Sequence, residues 1–192
     1  MTGAARLQRS THHADDGFLA GVLQRYGDII VIRCRTRERL MEFTFLVDGP
    51  VGAGEAMRLR SLLDQALAAL AWLTGRPYGS LHLRRTYLEP YTQLTIQRDL
   101  DTLSAQEIEV IVGLMRHLLG PRLVAEEPSG EGTPSGWGAW AQPDDIDALA
   151  GLLRELKRLR GGRTLVGLRR SGQVLVYNEL PRTVASARPR PH

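Results

Sequence analysis

Arginine is the residue type in this chain with the most chemistry to offer. Of the 25 basic residues only Lys157 is a lysine, and a guanidinium presents a planar fork of N–H donors that matches phosphate or carboxylate oxygens two at a time. Arg33, Arg35, Arg37 and Arg39 crowd one turn, and Arg169 and Arg170 crowd another. With Arg182, Arg188 and Arg190 further on, they are enough to neutralise several phosphates, which makes them the candidate anion or nucleic-acid contacts. Against that reading, an RNA-binding sheet offers aromatic rings for stacking, and the strand positions expected to face solvent here carry Thr, Gln, Glu and Arg.

A second polar set is His82 and Arg84 on one strand with Gln93, Thr95 and Gln97 on the next. These line either a pocket for a small polar ligand or a solvated sheet face. His12 and His13 beside Asp15 and Asp16 are metal-ligand types, but adjacent histidines in a polar stretch lack fixed geometry, and no metal is expected. Cys34 has no partner thiol and no base nearby in sequence, so it reads as a small buried residue. His117 beside Arg116, near the end of its helix, complements the helix dipole. The glycine-rich stretch from Gly49 to Gly54 is followed by Glu55 and Ala56, where a P-loop needs Lys and then Ser or Thr. A dinucleotide fingerprint from Gly52 needs Gly or Ala where Met57 stands. No nucleophile with a base, no facing carboxylates and no ligand spacing emerge, so catalysis is not expected and no cofactor is implied.

The elements that must position these residues are legible from periodicity. Met41, Phe43, Phe45 and Val47 alternate as a half-buried strand. Leu59, Leu62, Leu63, Ala66, Leu70 and Leu73 fall on one helical stripe, stopped by Gly75 and Pro77. Leu81 and Leu83, then Leu94 and Ile96, flank a turn at Glu89-Pro90-Tyr91 and predict a hairpin. Ser104 and Glu107 spell a capping box with Leu103 and Ile108 as its staple, and the helix that follows is apolar enough to meet protein on more than one side. Phe18, Leu19, Val22 and Leu23 predict an earlier helix, and Ile29 to Ile32 predict an internal strand. A last helix carries Ile146, Leu149, Leu152, Leu153, Leu156 and Leu159, and a hairpin follows from Thr164 to Tyr177.

Composition divides the chain into a polar stretch 1–16, an α+β core 17–127, a Gly/Pro/Ser-rich linker 128–142, a helix-hairpin module 143–180 and a basic stretch 181–192. Trp137 and Trp140 fall in the linker, as an internal clip or a partner anchor. Residues 101–150 are acidic and 151–192 basic, so either the two regions dock or the second seeks an outside anion. No run has the length of a signal peptide or a membrane span, and the single cysteine excludes an internal disulfide. The expected address is cytoplasmic, with no membrane partner.

From Leu40 to Glu127 the order strand, helix, strand, strand, helix, strand is that of a ferredoxin-like βαββαβ core. The Ile29 strand, however, is one short turn from the Met41 strand and competes for an edge of it, because a strand has only two. The favoured fold is therefore α+β, an antiparallel sheet with helices packed against it in helix-hairpin-helix-hairpin-helix order, plus the C-terminal module. That element order is similar to roadblock-type and type III secretion chaperone-type domains over roughly residues 16–120, and the resemblance implies a dimeric protein-binding module. The sequence thus points to a non-catalytic binding or regulatory subunit that pairs with itself and with another protein. Nucleic-acid binding through the arginine-rich tips is one alternative, and a small-molecule or enzymatic pocket on the polar sheet face another.

Overall fold

A computed structural model describes residues 8–9, 13–126, 146–170 and 173–179. In chain order the elements are β1 (Gln8–Arg9), α1 (His13–Arg25), β2 (Ile29–Arg35), β3 (Leu40–Asp48), α2 (Ala53–Thr74), β4 (Leu81–Leu88), β5 (Tyr91–Asp99), α3 (Ala105–Leu119), a 3-10 turn (Gly120–Arg122), β6 (Leu123–Val124), α4 (Ile146–Arg158), β7 (Thr164–Arg170) and β8 (Gln173–Glu179). The fold is α+β, with helix and hairpin elements alternating along the chain. Seven strands form one antiparallel sheet in the order β1-β8-β7-β2-β3-β5-β4, and β6 pairs with β3 beside that path.

Both readings of the centre are present at once. β5 takes one edge of β3 along its whole length, from Leu40↔Asp99 to Asp48↔Tyr91. The opposite edge is shared end to end. β2 pairs with Leu40 through Phe45, and β6 takes Leu46 and Val47. The series β6-β3-β5-β4 is therefore the ferredoxin order, with its last strand cut to two residues because β2 already occupies the ladder. The free edge of β2 then accepts β7, from Val31↔Leu168 to Arg35↔Thr164. The C-terminal helix and hairpin thereby join the sheet that the core residues begin.

Alternation along the strands sends one set of side chains toward the helices. Met41, Phe43, Phe45 and Val47 of β3, Ile32 and Cys34 of β2, and Leu94 and Ile96 of β5 are fully buried and share one core cluster with apolar residues of all four helices. The other face, with Val31, Arg33 and Arg35, Glu42 and Thr44, and Gln93, Thr95 and Gln97, carries no helix among the described residues. α3 keeps the expected cap, with the Ser104 hydroxyl accepting from the Glu107 N–H at 3.2 Å. It meets α2 on one flank and α4 on the other.

α2 departs from the expected stripe. It buries Leu59, Leu63, Leu67 and Ala71, a row of successive i+4 steps that drifts around the helix. Leu62 and Leu73 are left exposed and Leu70 only half-buried. The physical reason is width: the helix has more apolar residues than one sheet contact can cover, and the i+4 row is the one that lies flat on it.

α1 lies close to the sheet because β7 has no side chain where the two meet. A Cβ on Gly167 would stand 2.9 Å from Leu23 Cδ1 and 3.2 Å from Leu19 Cβ. On its other side α1 packs on α4, where Gly17 and Gly21 face Leu152 and Leu149. The two similar segments Leu19-Ala20-Gly21-Val22-Leu23 and Leu149-Ala150-Gly151-Leu152-Leu153 thus belong to helices that pack on each other. Gly167→Ala is expected to cost about 1–3 kcal/mol by pushing α1 off β7. Gly113→Ala, exposed in α3 with nothing near its Cβ position, is expected to gain about 0.4–1 kcal/mol. Urea denaturation of the two variants checks both signs.

Candidate functional site

The two arginine tips lie at opposite ends of the β2-β7 ladder. Arg35 pairs in register with Thr164, whereas Arg169 and Arg170 lie past Leu168, the residue opposite Val31. Arg33 and Arg35 stand on the uncovered sheet face on either side of Glu42. Arg33 lies 3.7 Å from its carboxylate and Arg35 donates to it at 2.8 Å. Arg35 also holds Glu38, and Arg33 approaches Glu179 at 3.6 Å. Arg169 faces the helices instead. It is buried, with Nε and Nη2 unbonded, and burial lowers its pKa against the pull of Glu126 and Asp28. Arg170 is exposed. The six arginines therefore do not form one surface.

Arg39 ties the β2-β3 turn to the rest of the molecule. Its backbone is left-handed, with φ of 55°, a conformation that costs a non-glycine residue about 1–2 kcal/mol. Its guanidinium grips the Asp101 carboxylate and donates to the Lys157 and Leu159 carbonyls at the end of α4. Lys157 answers from α4, its Nζ donating to Asp101 O at 2.9 Å and Leu103 O at 2.6 Å. Thr36 Oγ1 donates to Gly161 O at 2.6 Å, and the Arg163 N–H returns a hydrogen bond to that hydroxyl at 3.1 Å. Two clefts open here. One, of about 420 Å³, is lined by Thr36, Arg37, Arg39, Arg160, Gly161 and Gly162. The other, of about 450 Å³, lies between α4 and the start of α3, with Arg76, Arg154, Lys157 and Asp147 as its charged groups.

Beneath this end lies a charge network that simple alternation along β5 would have found. Leu94 and Ile96 point inward, and two residues on Arg98 does the same, with no exposed surface. Its Nη2 donates to Glu107 Oε2 at 2.6 Å, its Nη1 to Asp99 Oδ1 at 2.7 Å and to Ser80 O at 2.6 Å, and Tyr78 lies 4.9 Å from it as a ring contact. Burial pushes the Glu107 carboxyl up against the pull of Arg98. Tyr78 is pushed up by burial and by its hydrogen bond to Asp64. Glu107 thus spends its side chain on Arg98 instead of closing the capping box, so α3 is anchored to the sheet through a charge.

The polar sheet-face set is brought together, with His82 opposite Gln97 and Arg84 opposite Thr95. Thr95 is buried, Gln93 and Gln97 are half-buried, and His82 and Arg84 are exposed. Neither cleft includes them. Trp137 and Trp140 lie outside the described residues. What the sequence reading missed is the outer side of α2, where Met57 is 72% exposed, Trp72 83% and Leu73 72%, beside Leu62. The signal was available: more apolar residues than one stripe can hold. Among the described residues no group of three or more His, Cys, Asp or Glu is placed to hold a metal, and no helix is long and apolar enough to cross a membrane.

No protein-family model matches this chain, and neither the curated proteins nor the solved structures contain a match to it.

Arg98→Ala is expected to cost about 3–5 kcal/mol, because it strands the Glu107 carboxylate in the core. Arg98→Met with Glu107→Gln is expected to recover much of that loss in urea denaturation. At the Arg39 turn the hydrogen bond from Arg39 holds the Asp101 carboxyl below its ordinary 3.8. A lowered carboxyl contributes stability above its unfolded value and loses it as pH falls through the folded one. Arg39→Ala is therefore expected to cost about 1 kcal/mol near neutral pH, the exposed pair being screened by solvent, with the penalty shrinking once the pH falls below about 4. Arg39→Gly, which relieves the left-handed backbone, is expected to be about 1 kcal/mol more stable than Arg39→Ala.

Proposed function

We propose that this chain is a non-catalytic protein-binding or regulatory module that works as a homodimer, paired through α2. The observation that carries the reading is the exposed apolar row on α2, Leu62, Trp72 and Leu73 with Met57, which no described element covers. Leu62 and Leu73 share one stripe with Ala66 and Ala69, at i, i+4, i+7 and i+11, and exposed apolar surface of this kind marks an interface. The row is also self-complementary. An antiparallel copy crossing between Gln65 and Ala66 would set Leu62 against the partner's Ala69 and Leu73 against its Arg58, and would bring Glu55, which also holds Arg122, toward its Arg76 just past the helix end. Large meets small at Leu62, and the two ends bring opposite charges together.

A surface for a further protein is the outer edge of β4, which is unpaired among the described residues. It ends at a hairpin tip with Tyr87, Leu88 and Tyr91 exposed. Bare strand edges with apolar flanking side chains suit strand addition by an extended peptide. The nucleic-acid reading draws less support. Arg33, Arg35 and Arg39 each already face a carboxylate, and Arg169 is buried.

Light scattering on the purified full chain is expected to return the mass of two copies. Leu62→Asp with Leu73→Asp, both at exposed positions, is expected to return one copy with unchanged circular dichroism. A wild-type chain that stays monomeric as its concentration is raised would overturn the dimer.

A further inference from the structure

The acids that open the 101–150 region are answered from upstream. Arg39 takes Asp101, Arg98 takes Glu107 and Arg25 takes Glu109. Two cations of α4 and the turn after it, Arg154 and Arg160, are left over. Arg154 and Arg160, together with Arg37 and Arg76 from the neighbouring elements, make no ion pair among the described residues. They converge on the two clefts at the α4 end, and both clefts border the same short arc, in which Lys157 and Arg160 stand three residues apart. With Arg39 neutralised by Asp101, five cations face the clefts against one acid, Asp147.

Such an assembly repels itself unless an anion is present. Lys157 is the partly buried member of the set. Burial lowers its pKa and Arg76 lowers it further, while the nearby Glu107, Asp101 and Asp99 raise it. Arg76 and Arg154 reach the second cleft from α2's end and from α4, and the start of α3 forms its opposite wall. On α4, Asp147, Ala150, Arg154 and Lys157 follow at i, i+3, i+7 and i+10, one face of the helix turned into the cleft.

We propose that this end of the molecule binds a compact ligand carrying two or more phosphate groups, seated across the two clefts. One carboxylate would leave most of the charge unanswered, while guanidinium forks fit phosphate oxygens in pairs. A nucleic-acid strand fits less well, because no aromatic residue lines either cleft to stack a base. The site shares only Arg76 with the α2 surface, and it does not rest on the chain being a dimer.

The test uses the full chain with inorganic triphosphate, orthophosphate and chloride at matched ionic strength, read by calorimetric titration and by the thermal midpoint. Triphosphate is expected to bind at least about ten-fold tighter than orthophosphate and to raise the midpoint. Arg154→Ser with Arg160→Ser removes two exposed, unpaired side chains. It is expected to keep the unliganded midpoint and to lose about ten-fold in triphosphate affinity. Triphosphate behaving as chloride does, or binding the variant as tightly as the wild type, would falsify the proposal. So would a random single-stranded oligonucleotide that binds where triphosphate does not, since that would assign the cations to a polymer backbone.

Discussion

The structure turns on the two edges of β3. One is filled by β5 from end to end. The other is divided, with β2 holding six residues' length and β6 the next two. That division decides the architecture. Had β6 claimed the whole edge, the chain would have closed as a four-stranded domain and β2 would have had no place in it. Because β2 holds the ladder, its own second edge stays open, and β7, β8 and β1 extend the sheet outward from it. The four helices then share one core instead of two, with α1 on the added strands, α2 and α3 on the original ones, and α4 packed between α1 and α3.

Local order was legible and long-range order was not, for physical reasons. The β4-β5 hairpin, the caps of α3 and the alternation of β3 are written within windows of ten residues, where period and turn chemistry act directly. The pairing of β2 with β7 joins residues separated by some 130 positions, and no local pattern encodes it. At the site the same division holds. The crowding of Arg33 to Arg39 was visible. That Glu42 would sit between Arg33 and Arg35 follows from the hairpin register, which a short turn leaves open until it is seen. Arg76, Arg154 and Arg160 were invisible as a group because Arg76 stands on a separate stretch from the other two. Leu62 and Leu73 were assigned inward because a helix wheel ranks hydrophobicity but does not know how wide the contact beneath it is.

Charge in this chain is distributed by distance in space, and the sign change along the sequence is a poor guide to it. Arginines placed early satisfy acids placed late, so Arg154 and Arg160 of the later segment are left exposed without an ion pair among the described residues. Arg76 is the one side chain common to both proposed surfaces. It ends the apolar row of α2 and lines the cleft beside α4. Occupancy of one surface therefore alters the electrostatics of the other, and any coupling between them must act equally in both directions.

The position of α1 carries a consequence for biosynthesis. Its apolar residues Phe18, Leu19, Val22 and Leu23 are buried chiefly against α4, β7 and β8, elements that leave the ribosome more than a hundred residues later. Until they do, α1 has only β2 to lie on, while the β3-β5 centre can already collapse with α2 and α3. The nascent chain therefore holds an amphipathic segment only partly covered until residues 146–179 emerge, which places a demand for chaperone protection on a helix made well before its partners.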